Sequence, residues 1–194
     1  MGVISLIVGL ALGYLLLGGK VAPKPAQVAA PAPTGMPPGG HPTATLEQMK
    51  AMADAKAGPL LEKLKKDPNN AALLAQVGTL YNATHQFKEA AGYYNKSLEI
   101  DPKNVKTRTA LATSLYYDGD VDGAIAELQQ ALKNDPRDVN AEFNLGMVKF
   151  KGKDDPAGAI AVWQKLLDTH PDLDRRPAVE QMIEEAKQAS TAKK

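Results

Sequence analysis

Cysteine is absent from the 194 residues, which excludes disulfides, thiolate nucleophiles and Cys-ligated metals and leaves the redox compartment open. Aromatic residues are scarce at 5%, with a single Trp and three Phe. Neither sign of charge is in excess: 23 Lys and Arg stand against 22 Asp and Glu, for a formal net charge of +1. No overall field therefore points to nucleic acid or to an anionic membrane surface. Phosphate-cradling glycine loops are missing. The three histidines, His41, His85 and His170, have no sequence partner at metal-ligand or nucleophile spacing. These absences argue against an enzyme, and no catalytic residue, metal or cofactor is expected. One stretch, Asp118-Gly119-Asp120-Val121-Asp122-Gly123, copies the opening of a calcium loop. Its twelfth position is Gln129, where a bidentate Glu belongs. A polar turn with Asp120 or Asp122 near a helix start, where negative charge is favourable, is the preferred reading.

What the chain does have is repetition. Asp67-Pro68, Asp101-Pro102 and Asp135-Pro136 follow one another at intervals of 34 residues, and His170-Pro171 comes one residue late. Proline lacks a backbone donor and pushes the preceding residue out of the helical basin, so each pair marks the end of a helix. Two residues after each Pro stands Asn70, Asn104 or Asp138, whose side chain can accept from the free amides of the next helix. Between these marks the apolar positions recur: Leu74, Val77, Gly78, Tyr81, then Ala90, Tyr94 and Ser97; Leu111, Ala112, Leu115, then Ala124, Leu128 and Ala131; Leu145, Gly146, then Ala159, Trp163 and Leu166.

This pattern resembles the tetratricopeptide repeat (TPR), whose first helix carries a large residue, Leu, Gly and Tyr and whose second carries Ala, a large ring, Ala and Pro. The small residues have a mechanical reason, since Gly78, Ala112 and Gly146 fall where the two helices of a hairpin approach, opposite Ala90, Ala124 and Ala159. Arg108 and Glu142 replace the first bulky residue, Lys149 replaces the tyrosine, and the turn Gly152-Lys153-Asp154-Asp155 is expected to hold the extra residue. A turn absorbs an insertion at little cost. The expected fold is all-α, a helical-hairpin solenoid of three repeats over residues 67–171.

Residues 1–19 carry no charged side chain and as a helix would span about 28 Å, close to the roughly 30 Å of bilayer hydrocarbon. There is no basic n-region, no lipidation cysteine, and Leu6 occupies the position where myristoylation wants Ser or Thr. A retained single-pass transmembrane anchor is expected. Ser5, Gly9 and Gly13 share one helical face and would admit a second membrane helix; glycine is also simply common in such helices. Residues 20–44, with seven prolines among Ala and Gly, read as an extended, disordered linker reaching up to about 75 Å.

Two further segments close the array. Thr45 with Gln48 forms a capping box ahead of Leu46, Met49 and Ala53, and after an expected break at Gly58-Pro59 come Leu60, Leu61 and Leu64; residues 45–66 read as N-terminal capping helices. In 172–194, Asp174 is placed to cap a helix through about Ala189, with Val179, Met182, Ile183 and Ala186 on one face. Stacked repeats need such terminal covers.

The first helix of each hairpin lines the inner surface of a repeat solenoid. By resemblance, the inward residues include Asn82 in repeat one, Lys106, Thr113, Tyr116 and Tyr117 in repeat two, and Phe143, Met147 and Phe150 in repeat three. These are the candidate partner-binding residues, suited to an amphipathic helix or an extended apolar peptide. Phe143, Met147 and Phe150 have a second reading, packing beneath the neighbouring hairpin or the C-terminal helix. Ala75, Thr79, Asn140 and Asn144 stand where repeats that grip chaperone tails carry Lys, Asn and basic residues, which disfavours that ligand.

Anchor, proline-rich spacer and short array together resemble the membrane-anchored bacterial TPR proteins of cytochrome c biogenesis and nitrite reductase maturation. The resemblance implies a scaffold in the bacterial inner membrane, its repeats in the periplasm, holding a helix of apocytochrome c in its groove. Lys20 and Lys24 after the anchor lean the other way by the positive-inside rule. The alternative is a non-enzymatic structural or assembly subunit of another envelope complex, held by its transmembrane helix.

Overall fold

The computed structural model describes residues 45–192. The predicted anchor with Ser5, Gly9 and Gly13 and the predicted linker lie outside them, and among the described residues no helix is long and apolar enough to cross a membrane. Those residues form eight α-helices and one π-helical turn: α1 (Leu46–Lys66), α2 (Ala71–Ala83), α3 (Phe87–Ile100), α4 (Val105–Asp118), α5 (Val121–Asn134), α6 (Val139–Met147), the π turn (Val148–Gly152), α7 (Pro156–Thr169) and α8 (Arg176–Ala192).

The punctuation works as local chemistry requires. Asp67, Asp101, Asp135 and His170 are the C-caps of α1, α3, α5 and α7, each immediately before a proline. Asn70, Asn104 and Asp138 are the N-caps of α2, α4 and α6, accepting from the amides of Leu73, Thr107 and Ala141. Each such cap is worth about 1 kcal/mol. The hairpins α2–α3, α4–α5 and α6–α7 then stack in sequence, with α1 before the first and α8 after the last. Within a hairpin, small residues let rings in: a Cβ on Gly78 would lie 2.8 Å from Tyr94 Cε1, and one on Gly146 would collide with the indole of Trp163. The core runs along the array as three successive clusters, centred on Val77 and Tyr94, on Ala112 and Leu128, and on Trp163 and Leu166.

Three sequence expectations change. The segment 45–66 is one continuous helix with Pro59 inside it, not two helices broken at Gly58-Pro59. Proline at that point forfeits one backbone bond, but Gly58 has no Cβ to meet the proline ring, and Ala53, Ala57 and Leu64 hold the helix against α2 from both sides of it. The last helix begins at Arg176, with the Arg175 carbonyl receiving the Val179 amide, so Arg175 and not Asp174 stands at its start. The extra residue of repeat three does not sit in the 152–155 turn. It is taken up inside the first helix, which widens into the π turn where the Lys153 amide reaches back to the Val148 carbonyl at 3.1 Å.

That widening has a packing cause. Phe150 is carried round to the place that Tyr81 holds in repeat one, and it is buried, 9% exposed, edge-on to Trp163 with ring centroids 6.1 Å apart. Lys149, which the regular spacing would have sent into the core, instead reaches Asp155 at 3.0 Å. A π turn is the usual way a helix absorbs one residue.

Candidate functional site

The first helices of the hairpins meet one another, α2 against α4 and α4 against α6, whereas the second helices pack less closely along the array. The layer formed by α2, α4 and α6 is therefore the concave one. Its surface is crossed by polar ties between repeats: Asn82 Nδ2 donates to Ser114 Oγ at 2.8 Å, and Asn144 Nδ2 donates to Thr113 Oγ1 at 3.5 Å. The Thr113 hydroxyl donates in turn to the Thr109 carbonyl at 3.0 Å. These bonds fix the spacing of the wall and place Asn82 and Thr113 within it.

Between α4 and α6 the wall opens into a cleft of about 360 Å³, lined by Lys106, Thr109, Ala110, Thr113, Asp138 and Asn140. Lys106 is exposed and makes no ion pair among the described residues. Thr109 is 7% exposed, and its hydroxyl finds no hydrogen-bond partner. Asp138, the acidic member, is turned to the first turn of α6, with Oδ1 accepting from the Ala141 amide at 2.7 Å. Beside the cleft Arg175 Nη2 donates to Asn140 Oδ1 at 3.0 Å, and its guanidinium lies 5.4 Å from the centre of the Phe143 ring.

Phe143 and Met147 follow on α6 at helical spacing, both half-buried and packed on the cluster around Trp163. Each thus serves the core with one side and meets solvent with the other. Phe150 belongs to the core, so the expectation that it faces the groove is corrected by the π turn described above. Lys151 comes out in its stead, its ammonium 4.1 Å from the Phe150 ring centre and 3.9 Å from Glu185.

At the turn end of the hairpins lies an aromatic run that the repeat pattern did not reveal. His85 meets Phe87 edge-on at 5.5 Å, Phe87 stacks on Tyr117 at 5.0 Å, and Tyr117 meets Tyr116 at 5.2 Å. Tyr117 is 62% exposed, while Tyr116 is half-buried beside Gly152, where a Cβ would come 3.0 Å from its ring. His85 and Phe87 have no counterpart at the same position in the other repeats, and for that reason a search by period passes over them.

Buried charge marks the departures from the repeat. Arg108 Nη1 pairs with Glu127, and Nη2 donates to the Pro102 carbonyl at 2.7 Å. Glu142 is 1% exposed, with Lys165 Nζ at 2.9 Å and His170 Nδ1 at 3.8 Å. Elsewhere burial, followed by a hydrogen bond to Asp54, pushes the Tyr81 hydroxyl up to about 12, and burial raises that of Tyr94. The Gly158 amide, then Lys149, hold the Asp155 carboxyl below its ordinary value. Of the calcium-like stretch, Asp120 caps α5 by accepting from the Gly123 amide at 2.9 Å.

The TPR domain family of cytochrome c-type biogenesis protein H matches residues 42–177. The chain belongs to this family. Its repeats are a TPR array of the cytochrome c biogenesis type, a family of protein-protein interaction scaffolds. Among curated relatives, the formate-dependent nitrite reductase complex subunit NrfG of Escherichia coli O157:H7 is 28% identical over 131 residues, 66% of this chain and 66% of that protein. Anaphase-promoting complex subunit 3 of Schizosaccharomyces pombe is 30% identical over 82 residues, 42% of this chain and 12% of that one. The chain spans just under two thirds of the first relative and a small part of the second. Among solved structures, MamA superposes with a TM-score of 0.59 at 20% identity, over 76% of this chain and 94% of that one. The first TPR of Spaghetti (RPAP3), bound to an HSP90 peptide, gives 0.56 at 19%, over 62% and 93%. At these identities the likeness is one of fold.

Proposed function

We propose that the concave face of α2, α4 and α6 holds a helix or extended segment of a partner polypeptide, apocytochrome c during its maturation, without altering it chemically. The observation that carries this reading is the wall itself: ordered amide and hydroxyl ties between repeats, with Phe143 and Met147 offering half-exposed apolar surface next to an open polar cleft. Such a combination suits a peptide with one apolar face. Membership of the biogenesis family and the nitrite reductase relative favour a cytochrome as the partner. In the same proposal residues 1–19 anchor the chain in the bacterial inner membrane and the repeats stand in the periplasm, with Ser5, Gly9 and Gly13 free to pack on another membrane helix.

The test is binding of apocytochrome segments to the full chain in detergent micelles. Phe143→Ala with Met147→Ala is expected to weaken capture by about tenfold, the cost of one lost apolar anchor, with the helical circular dichroism retained. Unchanged affinity in the double variant would remove the groove from the account. The second reading, an assembly subunit held mainly by its membrane helix, draws on the description of the nitrite reductase relative as a complex subunit. It predicts that Gly9→Leu with Gly13→Leu, not the groove variant, dissociates the partner.

A further inference from the structure

Among the described residues, five Phe and Tyr rings are at least partly open to solvent: Phe87, Tyr93, Tyr116, Tyr117 and Phe143. Two of them carry a cation that the chain itself supplies. Lys96 Nζ lies 5.5 Å from the centre of Tyr93, and the Arg175 guanidinium 5.4 Å from that of Phe143. Even Phe150, nearly closed off, has Lys151 Nζ at 4.1 Å. No Lys or Arg of the described residues stands over Phe87, Tyr116 or Tyr117, the three that form the run at the turn end of the hairpins.

The charge around this run favours a cation. Tyr116, Tyr117 and Asp118 are the last residues of α4, where the helix carbonyls concentrate partial negative charge, and no basic residue stands in that turn. α2 also ends without one. The Asp118 carboxylate is exposed and makes no ion pair or hydrogen bond among the described residues. Of the nearest cations, Lys153 is taken by Asp122 at 2.5 Å, and Lys88 is offset in formal charge by Glu89, which follows it in the chain. The rings are also braced, since Phe87 of repeat one stacks on Tyr117 of repeat two, and Tyr116 rests beside Gly152 of repeat three. A ligand therefore meets them already ordered.

We propose that this edge docks an arginine of a partner polypeptide, with the guanidinium stacked on the open side of Tyr117, which is 62% exposed, and paired with the Asp118 carboxylate. Arginine fits better than lysine because a planar guanidinium lies flat on a ring while its N–H edge reaches a carboxylate. The surface lies at the hairpin turns, away from Phe143 and Met147 on α6, so it stands or falls separately from the groove.

The experiment selects short random peptides with amidated C-termini on the full chain in detergent micelles, in parallel with Tyr117→Leu, which keeps an apolar side chain and removes the ring. Tyr117 and Asp118 are both exposed, and the helical circular dichroism serves as the control for folding. Peptides that bind the native chain and not the variant are expected to share one arginine. Replacing it with citrulline, which keeps the planar shape and loses the charge, should lower affinity by about tenfold, and with lysine by about threefold. Asp118→Asn should weaken the arginine peptide by about threefold and leave the citrulline peptide unchanged. Phe143→Ala with Met147→Ala should leave both as they were. Discriminated peptides without arginine, whether proline-rich or purely apolar, would give the edge another occupant and overturn the proposal, as would citrulline binding as tightly as arginine. Arginine peptides that respond to the groove variant belong to the groove and also overturn it. If no peptide separates the native chain from Tyr117→Leu, the edge is not a docking surface.

Discussion

Repeat one and repeat three solve the same packing problem with different materials. In the first, Tyr94 covers Gly78, Tyr81 stacks on Tyr93 with centroids 5.5 Å apart, and Leu74 fills the position of the first bulky residue. The third has Trp163 over Gly146, a charged Glu142 in place of the leucine, and one residue too many. Trp163 is fully buried and gives its indole N–H to the Phe143 carbonyl at 3.1 Å, so a large ring is held with no unsatisfied donor. A hairpin keeps its geometry when an insertion can be absorbed as a π turn and a core ring is available to occupy the shifted place.

Deletion separates the two repeats most sharply. Removing Phe150 returns Lys149 to the core position and should cost about 4 kcal/mol or more, the penalty of losing a buried aromatic and gaining an unpaired charge. Removing Lys149 instead restores the regular spacing with Phe150 in place, and stability should change by about 1 kcal/mol or less. Denaturant midpoints of the two deletions decide it, and equal losses would dismiss the π-turn explanation.

Next comes the close approach. Gly146→Ala sets a Cβ against the rigid indole of Trp163 and should cost about 3 kcal/mol. Gly78→Ala meets only the edge of Tyr94 and gains helix propensity, so a net loss of about 1 kcal/mol is expected. Thermal unfolding of both variants would show the ordering, and a milder effect at Gly146 would reverse the argument.

A smaller effect of opposite sign is expected from Glu142→Leu, which gives repeat three the residue type of repeat one. Glu142 is the buried partner and Lys165 is 58% exposed, so the change removes a desolvated carboxylate and leaves the ammonium in water, and should raise stability by about 1 kcal/mol. The mirror change Leu74→Glu should destabilise by about 3 kcal/mol, since no Lys165 awaits it. Calorimetry of the pair tests whether the charge in repeat three is a cost or a contribution.

The least effect is that of pH on the α7 cap. The folded value of Asp155 is depressed by the Gly158 amide and Lys149, while the unfolded one is near 3.9. Its stabilisation is therefore fully present above about pH 4 and fades as pH falls through the lower folded value. Asp155→Asn, which keeps the amide acceptor, should flatten that part of the stability profile and leave repeat one untouched. A profile unchanged by the substitution would show that the cap does not titrate as described.

Much of this was readable residue by residue. The Asp-Pro stops, the Asn and Asp starts and the small residues under rings act through sterics and hydrogen bonds that reach only a few positions, so spacing alone exposes them. Pro59 misled because a proline is a local signal whose cost is offset by Ala53, Ala57 and Leu64 packing on α2. Of the candidate groove residues, Lys106, Thr113, Phe143 and Met147 fall on or beside one wall, whereas Phe150 does not.

The linear order of residues determined that residues 67–171 would be a stack of helical hairpins and where the Asp-Pro stops and the Asn or Asp starts would punctuate it, because those properties are decided by neighbours in sequence. That Phe150 of the π turn faces the core, and that Lys106 and Asn140 border one cleft between α4 and α6, were decided by tertiary packing. A one-residue insertion turns everything after it by about 100° about the helix axis, and only the fit of a ring against Trp163 settles which turn yields to accommodate it.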